Sequence, residues 1–131
     1  MDSPLCHILY VEDDPDIQIV ARIALETVGG LKLTPCGSGR DALAAVAAGC
    51  TPDLMLLDVM MPEMDGMMTL AALRQQAATA QVPVIFMTAK VQAAEVAYYK
   101  SLGALGVIAK PFDPMQLPQQ VRQLWDARNT P

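Results

Sequence analysis

Short apolar runs alternate along the chain with longer segments whose apolar residues recur every three or four positions. Cys6 to Val11 has strand length and ends against acids. Beyond Asp13-Asp-Pro15-Asp, the set Ile17, Val20, Ala24 and Val28 steps as one helix face does, and Gly29-Gly30 closes it. Pro15 suits a first helical turn, where its missing N–H costs nothing. Leu31 to Cys36 alternates as a second strand, and Pro35 within it favours an edge. Ser38 is placed to cap an alanine-rich helix ending near Gly49.

Asp53 to Leu57 predicts a third strand, apolar throughout after its first residue. Such a strand belongs in the middle of a parallel sheet covered on both faces. Asp65 is expected to cap the next helix, with Met68, Ala71 and Ala72 on its candidate inner face. Val84 to Met87 is a fourth strand, Val91 to Leu102 a helix stopped by Gly103, and Leu105 to Ala109 a fifth strand. Asp113 is expected to cap a last helix facing inward through Leu117, Val121 and Leu124, with Pro118 near its first turn. Five strands in strict alternation with five helices predict an α/β fold. The expectation is a flavodoxin-like, doubly wound parallel sheet of order 2-1-3-4-5, with helices on both faces. Ligands of such sheets sit outside the carboxyl ends of the strands.

Composition narrows the class. The 131 residues, 53% apolar, suit one domain with one good core and exclude a disordered chain. A single domain over 1–131 is expected, with its core at about 5–127 and a short frayed tail at 128–131. The net charge of −5 argues against non-specific nucleic-acid binding. No run approaches the ~20 apolar residues of a membrane-spanning helix. The opening Met1-Asp-Ser-Pro-Leu-Cys-His7 lacks the pattern of a signal peptide. Cys6, Cys36 and Cys50 are odd in number and lack CxxC spacing, which predicts reduced thiols in a cytoplasmic protein.

The strand ends carry the chemistry. Strand one ends in Glu12 and Asp13, strand three in Asp58, strand four in Thr88-Ala-Lys90, and strand five in Lys110-Pro-Phe112. Three carboxylates brought together repel unless neutralised. A lysine offsets one charge and a divalent cation two more. Magnesium accepts one or two carboxylates with a backbone carbonyl and keeps several waters. Such a pocket can bind the oxygens of a phosphoryl group through the metal, Lys110 and the Thr88 hydroxyl while Asp58 attacks as nucleophile.

The runs Ile8-Leu-Tyr-Val-Glu-Asp-Asp-Pro15, Leu56-Leu-Asp58-Val-Met-Met-Pro62-Glu-Met-Asp65-Gly66, Met87-Thr-Ala-Lys90 and Lys110-Pro-Phe112 together resemble the receiver domains of two-component response regulators, the family that includes the chemotaxis regulator. The resemblance covers residues 5 to about 127. It implies that Asp58 is the phosphoacceptor, and that Glu12 and Asp13 are the acidic pair, with Asp13 the direct metal ligand. It further implies that Met60 offers its backbone carbonyl to the metal, that Thr88 is the switch hydroxyl, and that Lys110 is the phosphate-binding lysine. A cis peptide bond before Pro111 is implied as well. Implied partners are Mg2+ (with Mn2+ as a substitute), a histidine kinase or histidine phosphotransfer protein as donor, and a downstream target on the face of helix 4, strand 5 and helix 5. The implied activity is that of a signalling switch rather than an enzyme, without nucleic-acid or membrane binding.

Two departures stand out. Val107 occupies the place where the family often carries a switch aromatic, which breaks the usual coupling to Thr88. Met60 and Lys90 flank the site, and a large apolar Met60 is expected to hinder water. Other residues carry blander expectations. His7 lies at the strand end opposite Asp58 and is expected to be structural. Met60, Met61, Met64, Met67 and Met68 are expected to pack, and Asp14 and Asp16 to favour the helix N-terminus. Tyr98, Tyr99 or Trp125 would mark a partner surface if exposed. Three rival functions would each want a different residue set. A flavin carrier would want a Ser/Thr/Gly-rich loop where Glu12-Asp-Asp-Pro15 stands. An aspartyl-phosphate phosphatase would want a general acid at Met60. A degenerate docking receiver would not need the full acidic set with Thr88 and Lys110.

Overall fold

The strands that read as apolar on both sides occupy the middle of the molecule. In the computed structural model, which describes residues 4–128, every residue of β3 (Leu54–Asp58) and β4 (Val84–Thr88) is buried. Around them, β1 (His7–Val11), β2 (Lys32–Cys36) and β5 (Ala104–Ala109) complete a parallel sheet. Among the described residues its order is β2-β1-β3-β4-β5, the flavodoxin-like order. Pro35 sits, as expected, on an edge strand.

Alternation along each strand sends neighbouring residues to opposite sides of the sheet. Ile8, Tyr10, Leu54, Leu56, Ile85, Met87 and Ile108 form one core, under α1 (Pro15–Arg22) and α5 (Leu117–Ala127). Leu9, Val11, Met55, Leu57, Val84 and Phe86 form the other, under α2 (Gly39–Ala47), α3 (Gly66–Leu73) and α4 (Ala93–Ser101). The Tyr10 hydroxyl is buried without a hydrogen-bond partner among the described residues, and burial pushes its ionisation far up, so it stays neutral.

Two helix ends follow their expected caps, Ser38 and Asp65, and Asp14, expected only to favour the helix N-terminus, caps α1 as well. Asp14 accepts from the Asp16 and Ile17 amides, Ser38 from Asp41, and Asp65 from Met68. Asp113 departs from expectation. It accepts from the Met115 amide in the turn before α5, and Gln116 stands at the helix start. The segment 113–116 takes its own tight turn, with Pro118 just inside the helix, so the cap is spent one turn early.

Two helix faces also differ from expectation. α1 continues through wider π-helical turns, Ile23–Val28, before Gly29. Its inward residues are Ala21, Ala24 and Leu25, whereas Ile19, Val20, Ile23 and Val28 are exposed. This segment holds more apolar residues than one face can bury, so part of them stays in solvent. On α3, Thr69, Leu70 and Leu73 are buried and Met68 is exposed, because the Asp65 cap fixes Met68 on the outer side of the first turn.

The predicted inner face of α5 holds, with Trp125 added to Leu117 and Val121. Arg128, expected to fray, instead stacks over Trp125 at 3.7 Å and donates to its carbonyl. The expectations for residues 129–131 and for the first three residues lie outside the described residues. No helix among the described residues is long and apolar enough to cross a membrane.

Candidate functional site

Strand parity explains which side chains meet. Glu12 continues the side of Tyr10, Asp58 that of Leu56, and Lys110 that of Ile108, all facing the α1–α5 layer. At the carboxyl edge they converge. Lys110 Nζ lies 2.8 Å from Glu12 Oε1 and 3.0 Å from Asp58 Oδ1. Asp13 turns outward beside them, and one carboxylate oxygen from each of Glu12, Asp13 and Asp58 falls within 4.8 Å of the others. Glu12 and Asp58 are buried, Asp13 is exposed, and Lys110 is mostly covered.

Several local devices fix this cluster. Asp14 donates its amide to Glu12 Oε2 at 3.2 Å. Gln18 spans the loop, donating from Nε2 to the carbonyls of Glu12 and Cys36 at 3.2 and 3.1 Å. Sequence reasoning missed Gln18; its signal was a polar residue on the side of α1 nearest the strand ends. Gly66 is required by close approach. A Cβ there would lie 2.6 Å from the Asp58 carbonyl oxygen, so any side chain would push α3 off the end of β3. The Lys110–Pro111 bond is cis, as the resemblance implied.

Thr88 is buried at the end of β4, on the side opposite the lysine, and its hydroxyl accepts from the Lys90 amide at 3.1 Å. Its carbonyl accepts from the Lys110 amide at 2.9 Å, which ties β4 to β5 beside the cluster. Met60 is 71% exposed, so it does not pack as expected. Met68 is likewise exposed, while Met61 and Met67 do pack. Val107 is half-buried on the second core. Of the three aromatics singled out, Tyr98 is exposed and Tyr99 and Trp125 are buried.

Burial dominates the electrostatics. It pushes the Glu12 carboxyl up to about 7, against the opposing hydrogen bond from Lys110. It pushes Asp58 up as well, again against Lys110. Burial would lower Lys110, but its two carboxylate partners outweigh that and hold it raised. The acids are therefore undercompensated by one lysine. An all-oxygen donor set with excess negative charge fits a hard divalent cation, and Glu12, Asp13 and Asp58 are the side chains that could hold it.

A testable consequence follows from Glu12. Its folded-state ionisation is raised, so its contribution to stability is present in acid and lost as pH rises toward and through 7. The metal-free protein should melt progressively lower between pH 5 and 8, and Glu12→Gln should flatten that decline. A cation needs the ionised form, so apparent Mg2+ affinity by titration calorimetry should rise about tenfold from pH 6 to pH 8. A pH-independent affinity would contradict the assignment.

The comparisons agree with this geometry. Residues 8–122 match the model of the response regulator receiver domain. Response regulator SaeR of Staphylococcus aureus is 32% identical over 120 residues, covering 92% of this chain and 50% of that protein. The chain thus spans about half the length of the curated relatives it matches. Chemotaxis response regulator CheY4 of Vibrio cholerae superposes with a TM-score of 0.81 at 27% identity, covering 92% of this chain and 99% of that one. The signal receiver domain of a signal transduction histidine kinase from Syntrophus aciditrophicus gives 0.75 at 30% identity, covering 96% and 94%. With the family model spanning most of its length, the chain belongs to the response regulator receiver domain family.

Proposed function

We propose that Asp58 accepts a phosphoryl group from a phosphohistidine donor, with Mg2+ held by Glu12, Asp13, Asp58 and the Met60 carbonyl. The observation that carries this reading is Lys110 joined at once to Glu12 and Asp58 at the mouth of a three-carboxylate cluster. The cation supplies neutralisation of the incoming phosphoryl oxygens. Lys110 moves from pairing with a carboxylate oxygen to pairing with a phosphoryl oxygen, and the Thr88 hydroxyl donates to another. Asp58 Oδ attacks phosphorus as the donor nitrogen leaves, so the aspartyl phosphate forms without a separate general acid on this chain.

The donor is a histidine kinase or histidine phosphotransfer protein. The exposed Val20 of α1 lines a groove of about 510 Å³ with Asp16, Ile17, Lys110, Pro111 and Phe112. Its apolar part, Ile17, Val20, Pro111 and Phe112, lies beside the site a donor must reach, and it suits an apolar helix face. The phosphoryl group adds about −1.5 to −2 charges, by analogy with other phosphoresidues. It draws Thr88 inward and biases the face of α4, β5 and α5 toward a downstream target, with exposed Tyr98 as an anchor. The domain acts as a cytoplasmic signalling switch that assists its own phosphorylation, and residues 1–131 form one such domain.

Incubation with phosphoramidate and Mg2+ should phosphorylate the protein, and a chelator should abolish uptake. Unchanged uptake under chelation would overturn the metal's role. Met60 bears on the lifetime of the product, because its exposed thioether offers no hydrogen bond to an attacking water. Met60→Asn should shorten the phosphoryl half-life several-fold, as followed by intact mass after donor removal. An unchanged or longer half-life would count against a shielding role for Met60.

A further inference from the structure

At the end of the sheet opposite Asp58, three side chains that the phosphoryl chemistry does not use lie together. His7 opens β1, Thr34 lies in β2, and Cys50 follows α2. Thr34 Oγ1 is 2.7 Å from His7 Nε2. Cys50 Sγ is 3.7 Å from Thr34 Oγ1, which it faces as a donor, and 4.0 Å from His7 Nε2. With the imidazole proton on Nδ1, the order is thiol to hydroxyl to ring nitrogen, a continuous path for a proton. All three groups are partly accessible.

The other two cysteines lack this arrangement. Cys36 is buried, and burial pushes its thiol up to about 11. Cys6 is exposed, and its Sγ has neither a hydroxyl nor an imidazole partner among the described residues. Reactivity of a cysteine follows its thiolate, and a neighbouring base generates it.

We propose that Cys50 is a modification site, primed by Thr34 and His7 for exchange with low-molecular-weight disulfides. The Cys50 proton passes to Thr34 Oγ1 as the Thr34 proton passes to His7 Nε2. The sulfur attacks one sulfur of the disulfide, and the Cys50 Sγ–S bond forms as the original S–S bond breaks. The departing thiolate takes the proton from the imidazolium, which leaves one disulfide consumed and one mixed disulfide made. No further oxidant is needed.

The test is timed peptide mapping of the intact protein in oxidised glutathione near neutral pH. Cys50 should be modified at least about tenfold faster than the more exposed Cys6, and Cys36 should stay unmodified. Thr34→Val keeps the shape but cuts the relay. It should slow Cys50 at least about tenfold while Cys6, in the same molecule, keeps its rate. An unreactive Cys36 reports that the core is intact. If Thr34→Val exposes Cys36, His7→Gln decides: loss of the Cys50 preference supports the relay and its retention overturns it. Modification of Cys6 before Cys50, or an unchanged Cys50 rate in a folded Thr34→Val, would also overturn it.

Discussion

Asp58→Asn should abolish phosphoryl uptake and at the same time raise the melting temperature of the metal-free protein at pH 8. Loss of uptake follows because an amide oxygen is a poor nucleophile and cannot replace the carboxylate among the cation's ligands. The gain in stability follows from burial. Asp58 is 2% exposed, and burial raises its ionisation in the folded state against the pull of Lys110. A carboxyl raised in this way favours folding while protonated, and that contribution is lost as pH climbs past its folded-state value. At pH 8 the charge works against the fold, and a neutral isostere removes the conflict. Thermal melts at pH 5 and pH 8 check the sign, since the variant's advantage should shrink in acid. A variant less stable than wild type at pH 8 would show that the Lys110 pair outweighs burial.

Lys110→Ala should do the opposite to the fold. Lys110 compensates two buried carboxylates at once, at 2.8 and 3.0 Å. Removing one partner of a buried ion pair typically costs roughly 3–5 kcal/mol, because the remaining charge stays out of water. Lys110 is itself 18% exposed, so the lower end of that range applies here, about 3 kcal/mol. Protonation of Glu12 relieves the deficit, so the loss should be greatest at pH 8 and smaller at pH 6. Added Mg2+ should recover part of it, because the cation offsets the same charges. Denaturant melts with and without Mg2+ measure each of these. Phosphoryl uptake should also fall sharply, since one of the charges meeting the transferring oxygens is gone. A Lys110→Ala protein as stable as wild type without metal would remove the basis for the site's electrostatics.

The edge that carries this chemistry was legible because strands are short, apolar and periodic. Reading Leu56-Leu-Asp58 and Ile8-Leu-Tyr-Val-Glu12 as parallel strands brings their acids to one edge. Which side of the sheet each acid takes was not legible, because β3 is buried on both faces; the register of Tyr10 against Leu56 puts Glu12 and Asp58 together, and that of Met87 against Ile108 puts Lys110 there too. Helix faces were harder to read. Between Ile17 and Val28 nearly every stripe is apolar, so spacing could not choose Ala21, Ala24 and Leu25 over Val20 and Val28. The choice is made by the packing of the helix on the sheet, which buries Ala21, Ala24 and the larger Leu25 alike. On α3, apolar residues run all the way round the helix, so spacing again could not tell which side faces inward, and the Asp65 cap fixes it. The Cys50, Thr34 and His7 group gave no local signal. Cys50 and His7 stand 43 positions apart, and only the β1–β2 register and the end of α2 bring them together.

Val107 keeps its importance. A valine at that position has no ring to swing, and on the proposed reading the backbone tie between Thr88 and Lys110 is one physical link from the switch hydroxyl to β5. Tyr98, on the neighbouring helix, is the exposed aromatic of α4.

The most direct measurement is intact mass after incubation with phosphoramidate and Mg2+, run on wild type and Asp58→Asn side by side. Wild type should gain one phosphoryl group, and none when a chelator is added before the donor. Asp58→Asn should gain none under either condition. Equal modification of the two proteins would contradict the assignment of Asp58 as the acceptor.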